Sequence, residues 1–198
     1  MRRTIFTRSR CAPACLTLLA LGATPTSAVP LPPGATVALS GTTVAAHPSL
    51  AGVVLQDTLR PFTLTGGSAP PVTGTVQDRV VRENGSKQID FYFRIEVSPK
   101  SSPYHPRTMQ VARITYAQGL RLDVDYRLDG LGVSGPHSAR RAGSVVSFQF
   151  AAPNIVAGSA GSTRFVFIHT TGTAFHLGGK MQITDANGRH AVIPAWQP

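Results

Sequence analysis

Between residues 88 and 97 the chain reads QIDFYFRIEV, in which Ile89, Phe91, Phe93, Ile95 and Val97 alternate with Asp90, Tyr92, Arg94 and Glu96. A period of two predicts a β-strand with an apolar face turned to a core and a charged face turned to water. TGTVQDRVVR leads into Glu83, Asn84, Gly85 and Ser86, and KQIDFYFRIEV leads out. Asn-Gly readily supplies the two positive φ values of a type I′ turn, so the unit reads as a hairpin. Asn84-Gly85-Ser86 also matches a glycosylation sequon, but the turn explains it better. Asp185, Ala186, Asn187 and Gly188 repeat the device between GGKMQIT and RHAVIPAW.

The pattern continues between the hairpins. LDVDYRL points Leu122, Val124, Tyr126 and Leu128 one way and Arg121, Asp123, Asp125, Arg127 and Asp129 the other. VVSFQF alternates similarly, whereas RFVFIH is apolar on both faces and predicts a central strand covered on each side. HSARRA, residues 137 to 142, offers at most one or two helical turns. With weaker strands at 36–40, 51–56 and 62–65, the chain predicts about nine or ten strands divided by Gly, Pro, Asn and Ser. One-sided apolar strands must bury their faces against another layer, so the expected fold is all-β, a single antiparallel β-sandwich.

The N-terminus predicts a signal peptide over residues 1–28. MRRTIFTRSR is basic, CLTLLALGA is apolar, and Thr26 and Ala28 sit at the small-residue places before a cut, which places cleavage after Ala28. No later run is long enough to span a bilayer, so the mature chain is expected to be secreted, extracellular or loosely attached to a cell surface. Residues 29–48, opening with VPLPPGA, read as a mobile extended leader and a first weak strand, and 49–198 as the sandwich domain. Both cysteines, Cys11 and Cys15, fall in the signal, so neither a disulfide nor a thiolate ligand is expected afterwards. The chain carries a formal net charge of +10, and removing Arg2, Arg3, Arg8 and Arg10 leaves a smaller positive balance. Its basic residues are scattered rather than blocked, which argues against nucleic acid, while the net positive charge argues for attraction to acidic polysaccharide or an anionic surface.

Candidate chemistry is sparse. Asp90 and Glu96 share a strand face but lie about 20 Å apart at ~3.3 Å per residue, beyond the roughly 5–9.5 Å of paired glycosidase carboxylates; Arg94 stands between them as a partner for both. Glu83 flanks a turn. DVDYRLDG offers Asp123, Asp125 and Asp129, yet Arg127 stands where a calcium loop needs an oxygen ligand. Among six histidines, His169 and His176 would approach only if their strands pair across TTGT. Ser134, His137 and Ser138 lie close without a carboxylate in the same stretch, and no nucleophile elbow occurs. No catalytic residue, metal ligand set or cofactor motif is assigned, and no cofactor is expected. GVSGPHSARRAGS reads as a loop whose His137, Arg140 and Arg141 suit an anionic ligand.

AGVVLQDTLRPFTL, GTVQDRVVRENGSKQIDFYFRIEV and DYRLDGLG, in that order, resemble a family of exported bacterial proteins commonly found with a PEP-CTERM sorting signal, over about residues 49–196. The resemblance implies a β-sandwich associated with surfaces or exopolysaccharide, without an assigned activity, and it brings no catalytic residues. This chain stops at AVIPAWQP without the Pro-Glu-Pro motif, apolar helix and basic tail, so release or loose surface attachment is expected. The reading is a secreted, non-catalytic surface or extracellular-matrix protein contacting acidic polysaccharide. The alternatives are a secreted hydrolase with a dispersed acid/base or Ser/His site, and a calcium-dependent adhesion module.

Overall fold

A computed structural model describes residues 28–68, 70–98, 106–112, 119–150 and 162–198. The expected signal peptide, apart from Ala28, lies outside them. The chain folds as an all-β sandwich in which every strand pair is antiparallel. The strands are β1 (Val29–Pro30), β2 (Thr36–Ala38), β3 (Gly52–Leu64), β4 (Val72–Glu83), β5 (Ile89–Val97), β6 (Pro106–Ala112), β7 (Leu122–Tyr126), β8 (Ser138–Ala142), β9 (Val145–Gln149), β10 (Val166–Thr170), β11 (His176–Asp185) and β12 (His190–Gln197). The first sheet runs β1-β7-β10-β5-β4-β3 and the second β12-β11-β6-β9-β8-β2. Among the described residues no helix is long and apolar enough to cross a membrane.

Alternation builds the core as expected. Ile89, Phe91, Phe93, Ile95 and Val97 of β5 are all buried, beside Val76 and Val80 of β4 and Val166 and Ile168 of β10. Val146, Phe148, Met181, Ile183 and Ile193 meet them from the second sheet. Each fully buried side chain of this kind contributes about 1.5–3 kcal/mol of transfer free energy. β10 is central and covered on both faces: Val166 and Ile168 enter this core, while Phe167 enters a second cluster on the far side of the first sheet.

Three expectations need correction. Residues 29–35 are not a free leader, since β1 pairs with β7 in the first sheet and Leu31 is buried; the weak strand expected from residue 36 is present as β2, paired with β8 in the second sheet. HSARRA forms a strand, since β8 pairs with both β2 and β9. The β4–β5 turn is not type I′: positive φ falls on Lys87, at 64°, and not on Asn84 or Gly85, with Glu83 N donating to Gln88 O at 3.0 Å. A four-residue connection needs its left-handed residue last, and here a lysine fills that place. Lys87→Gly is therefore expected to raise stability by about 0.5–1 kcal/mol, because a side chain in the left-handed region costs ~1–2 kcal/mol and glycine returns part as unfolded-state entropy. A urea midpoint that fails to rise would contradict this. In the β11–β12 connection Gly188, at 78°, likewise ends the turn.

Candidate functional site

The first sheet's outer face, expected to be wet, is instead partly a second core. Residues 41–51, ending in a 3-10 turn at Pro48–Leu50, fold across it. Leu50 and Val44 pack on Val81, Tyr92, Phe165 and Phe167. The segment is strapped at its start by hydrogen bonds from Gly41 N to Asp125 Oδ1 (2.9 Å), Thr42 N to Tyr126 O (2.8 Å) and Val44 N to Asp129 Oδ2 (2.8 Å). Period-two alternation reports which residues share a face, and it is silent about a remote segment that covers that face.

Strand register arranges this face in rows. Val81, Asp90, His169 and Asp123 lie side by side across β4, β5, β10 and β7; Arg79, Tyr92, Phe167 and Asp125 form the next row. At the first row the His169 ring stands with its Nδ1 2.7 Å from Asp90 Oδ1 and 3.3 Å from Glu83 Oε1. Glu83 Oε2 accepts a hydrogen bond from the Ser86 hydroxyl. Glu83 and Asp90 are both buried. Burial raises the Asp90 pKa, against the opposing hydrogen bond from His169. For His169, burial acts downward but is outweighed by the hydrogen bond and charge of Asp90, with Glu83 and Asp123 adding to it, so its pKa is raised. The cluster thus holds a proton to higher pH than an isolated imidazole.

Beside it the face opens into a cavity of about 410 Å³. Tyr92, Phe165 and Val81 form its floor, Leu50 and Val44 its wall, and Arg79 and Arg127 enter from the sides. The Arg79 guanidinium sits 4.9 Å from the Phe165 ring centroid and donates from Nη2 to Asp57 at 2.7 Å. Its Nε is buried without a hydrogen-bond partner among the described residues. Arg127 donates from Nε to Asp129 at 2.6 Å, and despite burial this bond raises its pKa, with Tyr92 adding to it. Burial and the neighbouring Asp90 raise the Tyr92 pKa, so the cavity floor carries a neutral phenol. The site is thus an aromatic, apolar hollow edged by two guanidiniums, Arg79 paired with Asp57 and Arg127 with Asp129.

The residues expected to meet an anionic ligand do not converge. His137 and Arg140 are exposed, but Arg141 is buried, with Nη1 donating to Leu31 O at 3.2 Å and Leu120 O at 2.9 Å. On β8 the alternation sends Arg140 outward and Arg141 inward, where it ties the β2 and β7 approaches together. His169 and His176 lie in different sheets, and His176 Nε2 contacts Gln197 Nε2 at 2.7 Å. Arg94 pairs with Glu96 at 3.0 Å, whereas Asp90 takes His169. Asp125 is buried rather than on a wet face, with Oδ1 accepting from Gly41 N, whereas Asp129 stays exposed while its Oδ2 accepts from Val44 N of the covering segment. Glu83, Arg79, Tyr92 and His169 carried no assigned role. The faces follow from the register: Val81 pairs with Asp90, so Glu83, two residues beyond Val81, falls on the same face as Asp90, whereas a one-residue slip would separate them.

Fold and site together define an antiparallel β-sandwich with an arginine-lined hollow and a carboxylate–histidine cluster on the outer face of one sheet. Comparison with protein-family models, with curated proteins and with solved structures finds no match.

Proposed function

We propose that the chain is an exported, non-catalytic binding protein of the cell surface or extracellular matrix, related to the PEP-CTERM-associated proteins it resembles. In this reading it recognises a carboxylate-bearing sugar of an acidic polysaccharide. The observation that carries the reading is the hollow between Arg79, Arg127, Tyr92 and Phe165. Sugar C–H faces stack on aromatic rings, and a guanidinium held beside an aromatic ring is suited to a carboxylate. The net positive charge favours approach of a polyanion.

Calorimetric titration with oligo-uronates and with neutral oligosaccharides of equal length tests the reading. Salt-sensitive binding of the uronates alone is expected, weakened about tenfold by Arg79→Ala or Arg127→Ala through loss of one charged hydrogen bond. Equal affinity for the neutral sugars, or unchanged affinity in both variants, rejects the hollow. Loss of binding in His137→Ala/Arg140→Ala alone would move the ligand to the second sheet, where the sequence first pointed.

A further inference from the structure

We infer that Glu83, Asp90 and His169 form a binding site for a single divalent transition-metal ion of the zinc or manganese class. The inference is independent of the anion reading, because the cluster lies outside the hollow's lining. Each of the three residues offers one ligand atom, and these atoms lie within 4.8 Å of one another. Ligand atoms held about 2.0–2.2 Å from a zinc ion stand roughly 3–4 Å apart, so small side-chain adjustments suffice. The donors are one imidazole nitrogen and two carboxylates, a set suited to a borderline or moderately hard ion rather than to a thiophilic one.

Burial gives the second, separate indication. Asp90 is fully buried and Glu83 is 3% exposed, and among the described residues neither Asp90 Oδ2 nor Glu83 Oε1 has a hydrogen-bond partner. Two buried carboxylates face one imidazole, and His169 pairs with both of them. Even a protonated His169 leaves one negative charge over, in a place where unpaired charge is costly. A divalent ion compensates both carboxylates at once. The positions are set by strand register and a hairpin end rather than by a mobile loop, so the three donors come preassembled. His169, whose side chain is 15% exposed, leaves a route for the ion from solvent.

The test uses the full chain, stripped with chelator, and titrates it with Zn²⁺, Mn²⁺ and Ca²⁺ in separate calorimetric runs. One equivalent of Zn²⁺ or Mn²⁺ is expected per chain, with weaker or no Ca²⁺ binding and a melting temperature that rises with free metal. Glu83→Gln keeps the shape and the Ser86 contact and should weaken binding by at least about tenfold. Zinc held adventitiously by surface histidines would survive that substitution. Because Asp90→Asn changes a fully buried group, Co²⁺ absorption offers a readout on folded protein: a ligand-field spectrum in the unaltered chain, altered in His169→Gln. No binding to the stripped chain, or equal affinity in Glu83→Gln that circular dichroism shows to be folded, overturns the site.

Discussion

Arg189→Met is expected to destabilise the fold by about 3–5 kcal/mol, the usual cost of removing one partner from a buried ion pair. Arg189 and Asp185 are almost wholly inaccessible, at 1% and 0%. Arg189 Nε donates to Asp185 Oδ2 at 2.7 Å, and Nη2 meets the same oxygen. Asp185 Oδ1 accepts the backbone N–H groups of Asn187 and Arg189, both at 2.9 Å, which closes the β11–β12 turn. Arg189 Nη1 also donates to Pro70 O, fastening this hairpin to the approach of β4. Methionine fills the volume but leaves Asp185 Oδ2 buried and ionised. Chemical denaturation of the single variants and of Asp185→Asn/Arg189→Met gives the check. The double variant should be more stable than Arg189→Met, because the stranded charge is gone. Losses that simply add would mean the pair is not coupled.

The same ion pair marks where sequence reasoning stops. Asp185 was legible as a turn residue, since Asp-Ala-Asn-Gly is turn chemistry. Arg189, four residues on, has no local feature that distinguishes a buried arginine from a solvated one. The architecture itself was legible because alternation is a local property: β5 and the two-faced β10 can be read residue by residue. The covering of the outer face was not, because Gly41–Leu50 reach it through tertiary contacts with Asp125, Tyr126 and Asp129. Inward polar positions were hidden for a similar reason. Asp78 reads as one residue of an alternating QDR, yet it is buried and joins Arg60 Nε at 2.9 Å to Trp196 N at 3.1 Å, across to β12. For the candidate site, residue types and face were readable from β4 and β5, but the partner strand was not. That His169 lies opposite Asp90 depends on β10 inserting between β5 and β7, a non-consecutive pairing that no local pattern specifies.

Asp125 predicts a pH dependence from this covering interaction. Its carboxyl is fully inaccessible, Oδ1 accepts from Gly41 N and Tyr126 N, and Oδ2 has no partner among the described residues. Burial outweighs the two backbone donors and pushes its pKa up to about 6 from an ordinary 3.8. The folded chain therefore holds a proton here that the unfolded chain releases between pH 3.8 and about 6. Folding then binds protons in that window, so stability falls as pH rises through it and levels off above, a change on the order of 2–3 kcal/mol. Asp90 is also raised and contributes to the same slope, whereas the raised His169 contributes stability lost only at higher pH, above its unfolded value. Asp125→Asn separates them, because the amide oxygen keeps both backbone hydrogen bonds while the charge is removed. The variant should match the unaltered chain near pH 4 and exceed it at pH 8 by on the order of 2 kcal/mol, the gap opening between pH 4 and 6. Thermal melts across that range measure it, and parallel curves would show that Asp125 ionises in the folded protein as freely as in water.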